Sequence, residues 1–250
     1  SYDSYDWTLA GWAVEHEWMY HFYPVTHGFS RQNDIFRFFE DEHPLETYED
    51  AQDYVSRLRQ VDDQFRCLRS NLDDSEARGI LAPSQMLQLA ADRIRWVVPG
   101  VARDTPFYTT LEAKTEDIPD LSAVQRESLL IQAEQSINNS VIPAYQALVT
   151  KLDQQVQRAP AMNGVWQLPD GDDFYAARVR HHTTTDLTPA QIHQNGLDEV
   201  ERIRAEIREH FTTLGYPGNE TFQQLYDRVA VDSGIVRAAD IVPLNEGFIR

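Results

Sequence analysis

The residues of this chain most open to a chemical reading are histidines and carboxylates. His16, Glu17 and His21 stand close together in an aromatic stretch. Zinc-binding helices of hydrolases carry His-Glu-x-x-His, because histidines four residues apart share a helical face and the glutamate serves as the base. Here the histidines are five apart. On a regular helix that sets the rings roughly 140° from each other. Only a π-bulge would return them to one face. The spacing favours two polar positions on an aromatic helix, and a bulged zinc site at His16, Glu17 and His21 remains a lesser reading.

A denser polar cluster comprises Tyr175, Arg178, Arg180, His181, His182, Thr183, Thr184, Thr185 and Asp186. Adjacent histidines on a helix point in different directions, so His181 and His182 make a poor chelating pair. His193, one turn into the following helix, is placed to face the cluster. Aspartate, histidine and threonine together resemble a nucleophilic set. A threonine nucleophile needs an adjacent base and an oxyanion hole, and neither is readable here. The simpler reading is a loop whose hydroxyls satisfy backbone groups near a helix start. No phosphate-cradling glycine loop and no Gly-x-Ser-x-Gly elbow occurs. Abundant carboxylates identify no acid/base pair. Cys67 lies between Phe65 and Leu68 and is expected to be a buried structural thiol. A lone cysteine allows neither an intrachain disulfide nor a cysteine zinc cluster.

Helices must position these groups. Two turn signals, Asn163-Gly164 and Pro169-Asp170-Gly171, precede a short amphipathic run from Phe174 to His182. Thr188, Pro189 and Gln191 then make a strong helix start. Beyond it Ile192, Gly196, Val200, Ile203, Ile207, Phe211 and Leu214 keep one apolar face, which is expected to be core. Gly215 and Pro217 end that helix.

Upstream, Leu9 to Tyr23 reads as a helix stopped near Pro24. Thr47 caps a helix whose stripe runs from Ala51 to Leu72 and which Gly79 ends. Pro83 opens another, stopped at Pro99-Gly100, and a loop is expected through Pro106-Phe107-Tyr108. Ser122 and Gln125 cap a helix running towards Arg158, with a kink expected at Pro143. Thr221 to Val231 forms a last short helix, and 240–250 stays unassigned. No period-two strand series and no fixed-period repeat appears. The expected fold is mainly α, one domain over 1–250 of long antiparallel helices, with 160–186 as its irregular, turn-rich part.

The balance of 22 basic and 40 acidic residues gives a net charge of −18. No basic stripe exists, which argues against nucleic acid and anionic membrane surfaces as partners. No apolar run reaches membrane-spanning length.

The run Trp166-Gln-Leu-Pro-Asp-Gly, then Phe174-Tyr175, then His182-Thr-Thr-Thr-Asp-Leu-Thr-Pro-Ala-Gln-Ile-His193, resembles the bacterial family called domain of unknown function 885. Leu45 to Ala51, Ala77 to Ile80, Pro106 to Tyr108 and Val141 to Tyr145 extend the resemblance upstream. It implies the N-terminal helical half of a zincin-like metallopeptidase. Members are about twice this length, and many are exported to the bacterial periplasm or lipid-anchored. Their zinc helix, of His-Glu-x-x-x-Gly-His-His type, lies in the C-terminal half. His16-Glu17 is not at the matching place and lacks the glycine. No metal ligand or catalytic glutamate is therefore carried over. Zinc is expected only with a missing C-terminal half, and no cofactor in this chain.

The residues that carry over are a wall of a substrate cleft for a peptide-like substrate: Trp166, Tyr175, Arg178, His182, Thr184, Asp186 and His193. The expected protein is the N-terminal, cleft-forming portion of a zinc-dependent peptidase or hydrolase, inactive alone, with the missing half or a partner chain completing it. The alternative is a self-contained helical binding module whose aromatic N-terminal segment holds a partner.

Overall fold

Reciprocal caps start four of the helices. In each, a Ser or Thr hydroxyl accepts the backbone N–H three residues on, and the residue there reaches back. The pairs are Thr47 with Asp50, Ser122 with Gln125, Thr188 with Gln191 and Thr221 with Gln224. The computed structural model describes residues 2–28, 30–161 and 164–234. Asn163 of the first expected turn and the unassigned 240–250 lie outside the described residues. In chain order the helices are α1 Tyr2–Glu17, α2 Arg31–Arg37, α3 Tyr48–Leu58, α4 Val61–Ala77, α5 Ser84–Val97 and α6 Pro106–Lys114. They continue as α7 Ala123–Ser136, α8 Ile142–Val156, α9 Gly171–Thr183, α10 Pro189–Thr213 and α11 Phe222–Asp232. The fold is 74% helical with no strand among the described residues, so its class is mainly α.

The chain divides into two compact units, Ser1–Thr183 and Thr184–Arg250, where the sequence pointed to one domain. In the first, α8 packs against α5 and α4, and α3 packs against α7. The stripe from Ala51 to Leu72 is buried throughout, with Tyr54, Leu58 and Phe65 fully so. Tyr54 donates its hydroxyl to the Phe107 carbonyl at 2.9 Å, and Tyr145 donates to the Gln32 carbonyl at 2.8 Å. Phe107 and Tyr108, expected in a loop, sit instead in the first turn of α6, where Pro106 supplies a helix-ready φ. Cys67 is exposed, not buried. It stands two residues from Phe65 and one from Leu68, on the side of α4 turned away from that stripe.

The stripe from Ala51 to Leu72 spans two helices rather than one. The helix breaks at Arg59 and Gln60, where neither glycine nor proline announces it. Ser140 explains the break. Its hydroxyl donates to the Arg59 carbonyl at 3.1 Å and accepts the Asp62 N–H at 3.2 Å. Ser140 belongs to a π-helical turn, Ile137–Val141, that joins α7 to α8 just before Pro143. The kink expected at Pro143 thus takes the form of a widened turn, a usual answer to an interrupted i→i−4 ladder. Replacing Ser140 with alanine should strip two backbone groups of their partner. The expected loss is about 1–3 kcal/mol in a denaturant titration. An unchanged midpoint would mean that the break holds itself.

Glu76 near the end of α4 ties that helix to α8. It accepts from Lys151 at 2.9 Å, Gln155 at 3.0 Å and Arg158 at 2.7 Å. Burial pushes the Glu76 carboxyl up, but those hydrogen bonds outweigh it and bring it down to about 2. A carboxyl held below its unfolded value of about 4.5 adds stability above that pH, and this is lost as pH falls towards 2. Glu76→Gln should cost about 1 kcal/mol at neutral pH, since the network is partly solvated. It should also flatten the acid limb of a stability–pH curve between those limits. An acid limb of unaltered slope would remove Glu76 from the account.

In the second unit, α10 and α11 meet through aromatic rings. Phe211 contacts Tyr216 at 5.8 Å and Tyr226 at 5.5 Å, and Leu225 is fully buried. The stripe along α10 is otherwise not core, contrary to the sequence reading. Val200, Ile203 and Leu214 are 45%, 44% and 71% exposed, and Phe211 is the stripe position that is buried. Amphipathic spacing orients a face but cannot say that something covers it. The opposite face carries the Arg202 guanidinium between Glu199 at 2.7 Å and Glu206 at 2.5 Å.

Candidate functional site

Helix α9 exists where the sequence suggested irregular chain, so only part of 160–186 is turn-rich. Its start is tight. Asp170 takes φ 53°, and a Cβ on Gly171 would lie 1.9 Å from the Val165 carbonyl oxygen. Glycine is the residue that lets the first turn pass that close to backbone. Trp166 sits in the short 3₁₀ turn Val165–Gln167, 67% exposed.

Three of the expected cleft residues share a face of α9. Tyr175, Arg178 and His182 are spaced three and four apart. Tyr175 and His182 are exposed and Arg178 is half-buried. The Arg178 guanidinium lies 4.9 Å from the centre of the Phe22 ring, a cation–π distance. Its Nη2 donates to His182 Nε2 at 2.7 Å, and its Nη1 is 3.8 Å from Glu15 Oε1. His182 Nε2 thus serves as an acceptor, which leaves the ring proton on Nδ1.

The adjoining face of α9 was not among the expected cleft residues. Phe174, Ala177 and His181 look towards α1. Phe174 touches Trp18 at 5.7 Å, His21 at 4.9 Å and Phe22 at 5.5 Å. His181 stacks almost parallel to Trp7 at 6.3 Å, and a Cβ on Gly11 would reach within 2.6 Å of its ring. These pairings, Trp7 and Gly11 with His181, Glu15 with Arg178 and Trp18 with Phe174, make α1 and α9 antiparallel. A signal was available. Trp7, Gly11, Val14 and Trp18 step by four, three and four, and Phe174, Ala177 and His181 by three and four, so each set is a helical stripe.

In the second unit, Thr184 is exposed with φ 55°, and Asp186 and His193 are exposed. The seven expected cleft residues therefore fall into a set of four in the first unit and a set of three in the second.

His16, Glu17 and His21 do not form a metal site. Helix α1 stops at Glu17, and His21 lies in the 3₁₀ turn Met19–His21. His21 donates Nε2–H to the Pro169 carbonyl at 2.8 Å and packs on Trp18 and Phe174. Among the described residues no three His, Cys, Asp or Glu side chains are grouped to hold a metal ion.

Residues 1–242 match the family described as bacterial protein of unknown function, DUF885. This chain is a DUF885 protein. Among solved structures, the DUF885 chain is similar to one described as "the putative lipoprotein from Colwellia psychrerythraea", at 28% identity and a TM-score of 0.73. The match covers 82% of this chain and 35% of that one, so the chain spans about a third of the length of that protein. No curated protein matches the sequence. Among the described residues, no helix of this DUF885 chain is long and apolar enough to cross a membrane. The zinc that the family resemblance implies has no fitting ligand set among these residues.

Proposed function

We propose that this DUF885 chain is the helical, cleft-forming portion of a zinc-dependent peptidase or related hydrolase with a zincin-like fold. Tyr175, Arg178 and His182 on α9, with Trp166 before it, line the wall that receives a peptide-like substrate. Metal and catalytic glutamate come from outside this chain, so the chain alone is inactive. The observation that carries this reading is uncovered apolar surface. Val200 and Ile203 on α10, Leu214 just after it, and Tyr2, Tyr5 and Trp12 on α1, are all more than two-fifths exposed. Large apolar faces of this kind mark surfaces that another part of a fold covers. The similarity to a chain described as a "putative lipoprotein", of which the match covers 35%, supports the same reading. A self-contained binding module would be favoured by a covered aromatic face on α1, and those rings stand open.

The test compares the 250-residue chain with the product of its full reading frame. Elemental mass spectrometry and a peptide-hydrolysis assay are run on both. The expected result is zinc and hydrolysis in the longer product only. Stoichiometric zinc in the 250-residue chain, or an inert longer product, would overturn the reading.

A further inference from the structure

Helix α2 runs on into a π-helical turn, Phe38–Glu42, and the chain leaves that turn through His43. His43 is buried, with 2% of its surface exposed. Its ring lies among three others. Phe39 stacks on it at 6.2 Å, and Phe38 and Tyr54 meet it edge-on at 5.5 Å and 5.1 Å. Both ring nitrogens have partners that fix the proton. Nδ1 is 2.6 Å from the Pro44 carbonyl oxygen, which accepts and cannot donate. Nε2 meets the Arg57 guanidinium of α3, which donates and cannot accept. The ring is therefore neutral, with its proton on Nδ1.

A second proton has no place in this arrangement. It would go on Nε2, point at an Arg57 N–H and set two cations in contact. Burial opposes it first, and with the Arg57 charge holds the ring below the ordinary histidine range. The Pro44 hydrogen bond and the Asp50 and Asp53 carboxylates of α3 favour the proton and are outweighed. The turn itself carries Glu40, Asp41 and Glu42. On the helices packed against it, Lys114 of α6 donates to the Glu40 carbonyl at 2.7 Å, and Arg37 of α2 lies 3.5 Å from Asp34 and 3.4 Å from Glu42. Arg57 has a second partner to turn to. Asp53, one turn back on α3 and exposed, already lies 3.7 Å from its Nη2. With His43 neutral, the guanidinium lies over the Phe38 ring, 5.9 Å from its centre. Beside it is a hollow of about 380 Å³ that Phe38, Phe39, Arg57 and Val61 help to line.

We infer that His43 and Arg57 form an acid-released latch. Neutral His43 holds Arg57 across Phe38. A protonated ring expels it towards Asp53, uncovers Phe38 and widens the hollow between the π-turn and the α3–α4 break. The latch is independent of the peptidase reading. Its sign follows from linkage. A ring that takes its proton less readily when folded adds stability above the unfolded value of about 6.5, and this is lost as pH falls below it. That window begins above the one in which Glu76 acts.

The test follows the isotope-labelled 250-residue chain by NMR from about pH 8 to about pH 4.5. Long-range ring correlations should show His43 as the Nδ1–H tautomer at the alkaline end, with a titration midpoint below 6.5. The Arg57 side-chain carbons should shift and gain mobility with that same midpoint. Asp53→Asn removes the carboxylate that receives Arg57, and should move the midpoint lower still. His43→Gln keeps an acceptor that does not titrate, and should leave Arg57 indifferent to pH over this range. Asp53 is exposed, so its variant keeps the fold and decides the matter even where His43→Gln does not fold. Four results would each overturn the latch: a proton on Nε2 at the alkaline end, a midpoint at or above 6.5, a ring still neutral at the acid end, or Arg57 signals that ignore the His43 midpoint.

Discussion

Replacing Leu148 with aspartate should leave the chain largely unfolded at neutral pH. Leu148 lies on α8, fully buried in the cluster that also holds Phe65, Leu87 and Ile137. A carboxylate there would have neither water nor an opposing charge. Such substitutions lose more than about 4 kcal/mol, a large part of the roughly 5–15 kcal/mol that holds a domain together. The informative control is Ile203→Asp. Ile203 occupies the apolar stripe of α10 but is 44% exposed, so the same chemical change should shift the melting temperature only slightly. A cooperative melt near the parent's for Leu148→Asp would refute the core assignment. Loss of the fold by Ile203→Asp would show that α10 is covered after all.

Phe65→Ala should lower stability by about 3–5 kcal/mol, the range for removing a buried aromatic ring. Phe65 is fully buried on α4, and its ring lies 4.4 Å from that of Tyr145. The loss should extend beyond the cavity. Tyr145 holds the Gln32 carbonyl with its hydroxyl, and the Gln32 side chain in turn donates to the Thr26 carbonyl at 2.6 Å. A tyrosine ring freed on one side no longer fixes that hydrogen bond. A double-mutant cycle of Phe65→Ala with Tyr145→Phe should therefore show coupling of about 0.5–3 kcal/mol. Additive losses would mean that the ring pair and the hydrogen bond act independently.

Much of the first unit can be read from spacing. Thr47 and Ser122, like Thr188 in the second unit, announce their helices because a capping box is a local device that needs nothing from the rest of the chain. The buried stripe from Ala51 to Leu72 was equally plain. Three features were not legible. The apolar neighbours Phe65 and Leu68 point Cys67 to the core in the sequence, although its own angle on the helix turns it outward. The α10 stripe reads as core in the sequence because periodicity reports which face is apolar, not what lies against it. The pairing of α1 with α9 joins residues more than 150 apart, such as Trp7 and His181. Each stripe was present in the sequence, but nothing local matched one to the other. The cleft residues Tyr175, Arg178 and His182 were found through family resemblance, whereas Phe174, Ala177 and His181 beside them had no motif to mark them.

The hydroxyl of Ser140 has a consequence for how the chain folds. It partners Arg59 and Asp62 across 81 and 78 residues, so it cannot act until most of the first unit has been brought together. Closing a loop of that size costs about 4 kcal/mol in chain entropy before any contact returns it. Until then nothing separates α3 from α4, and the local preference of residues 48–77 is a single uninterrupted helix. The break is thus a late event, imposed from the other end of the unit. An excised peptide of residues 45–80, studied by NMR in a helix-supporting solvent, should show continuous helical connectivities through Arg59 and Gln60. An interruption there in the isolated peptide would place its origin in the local sequence. In the intact chain, Ser140→Ala should leave the refolding rate nearly unchanged and appear mainly as faster unfolding, as expected for a contact that forms after the transition state.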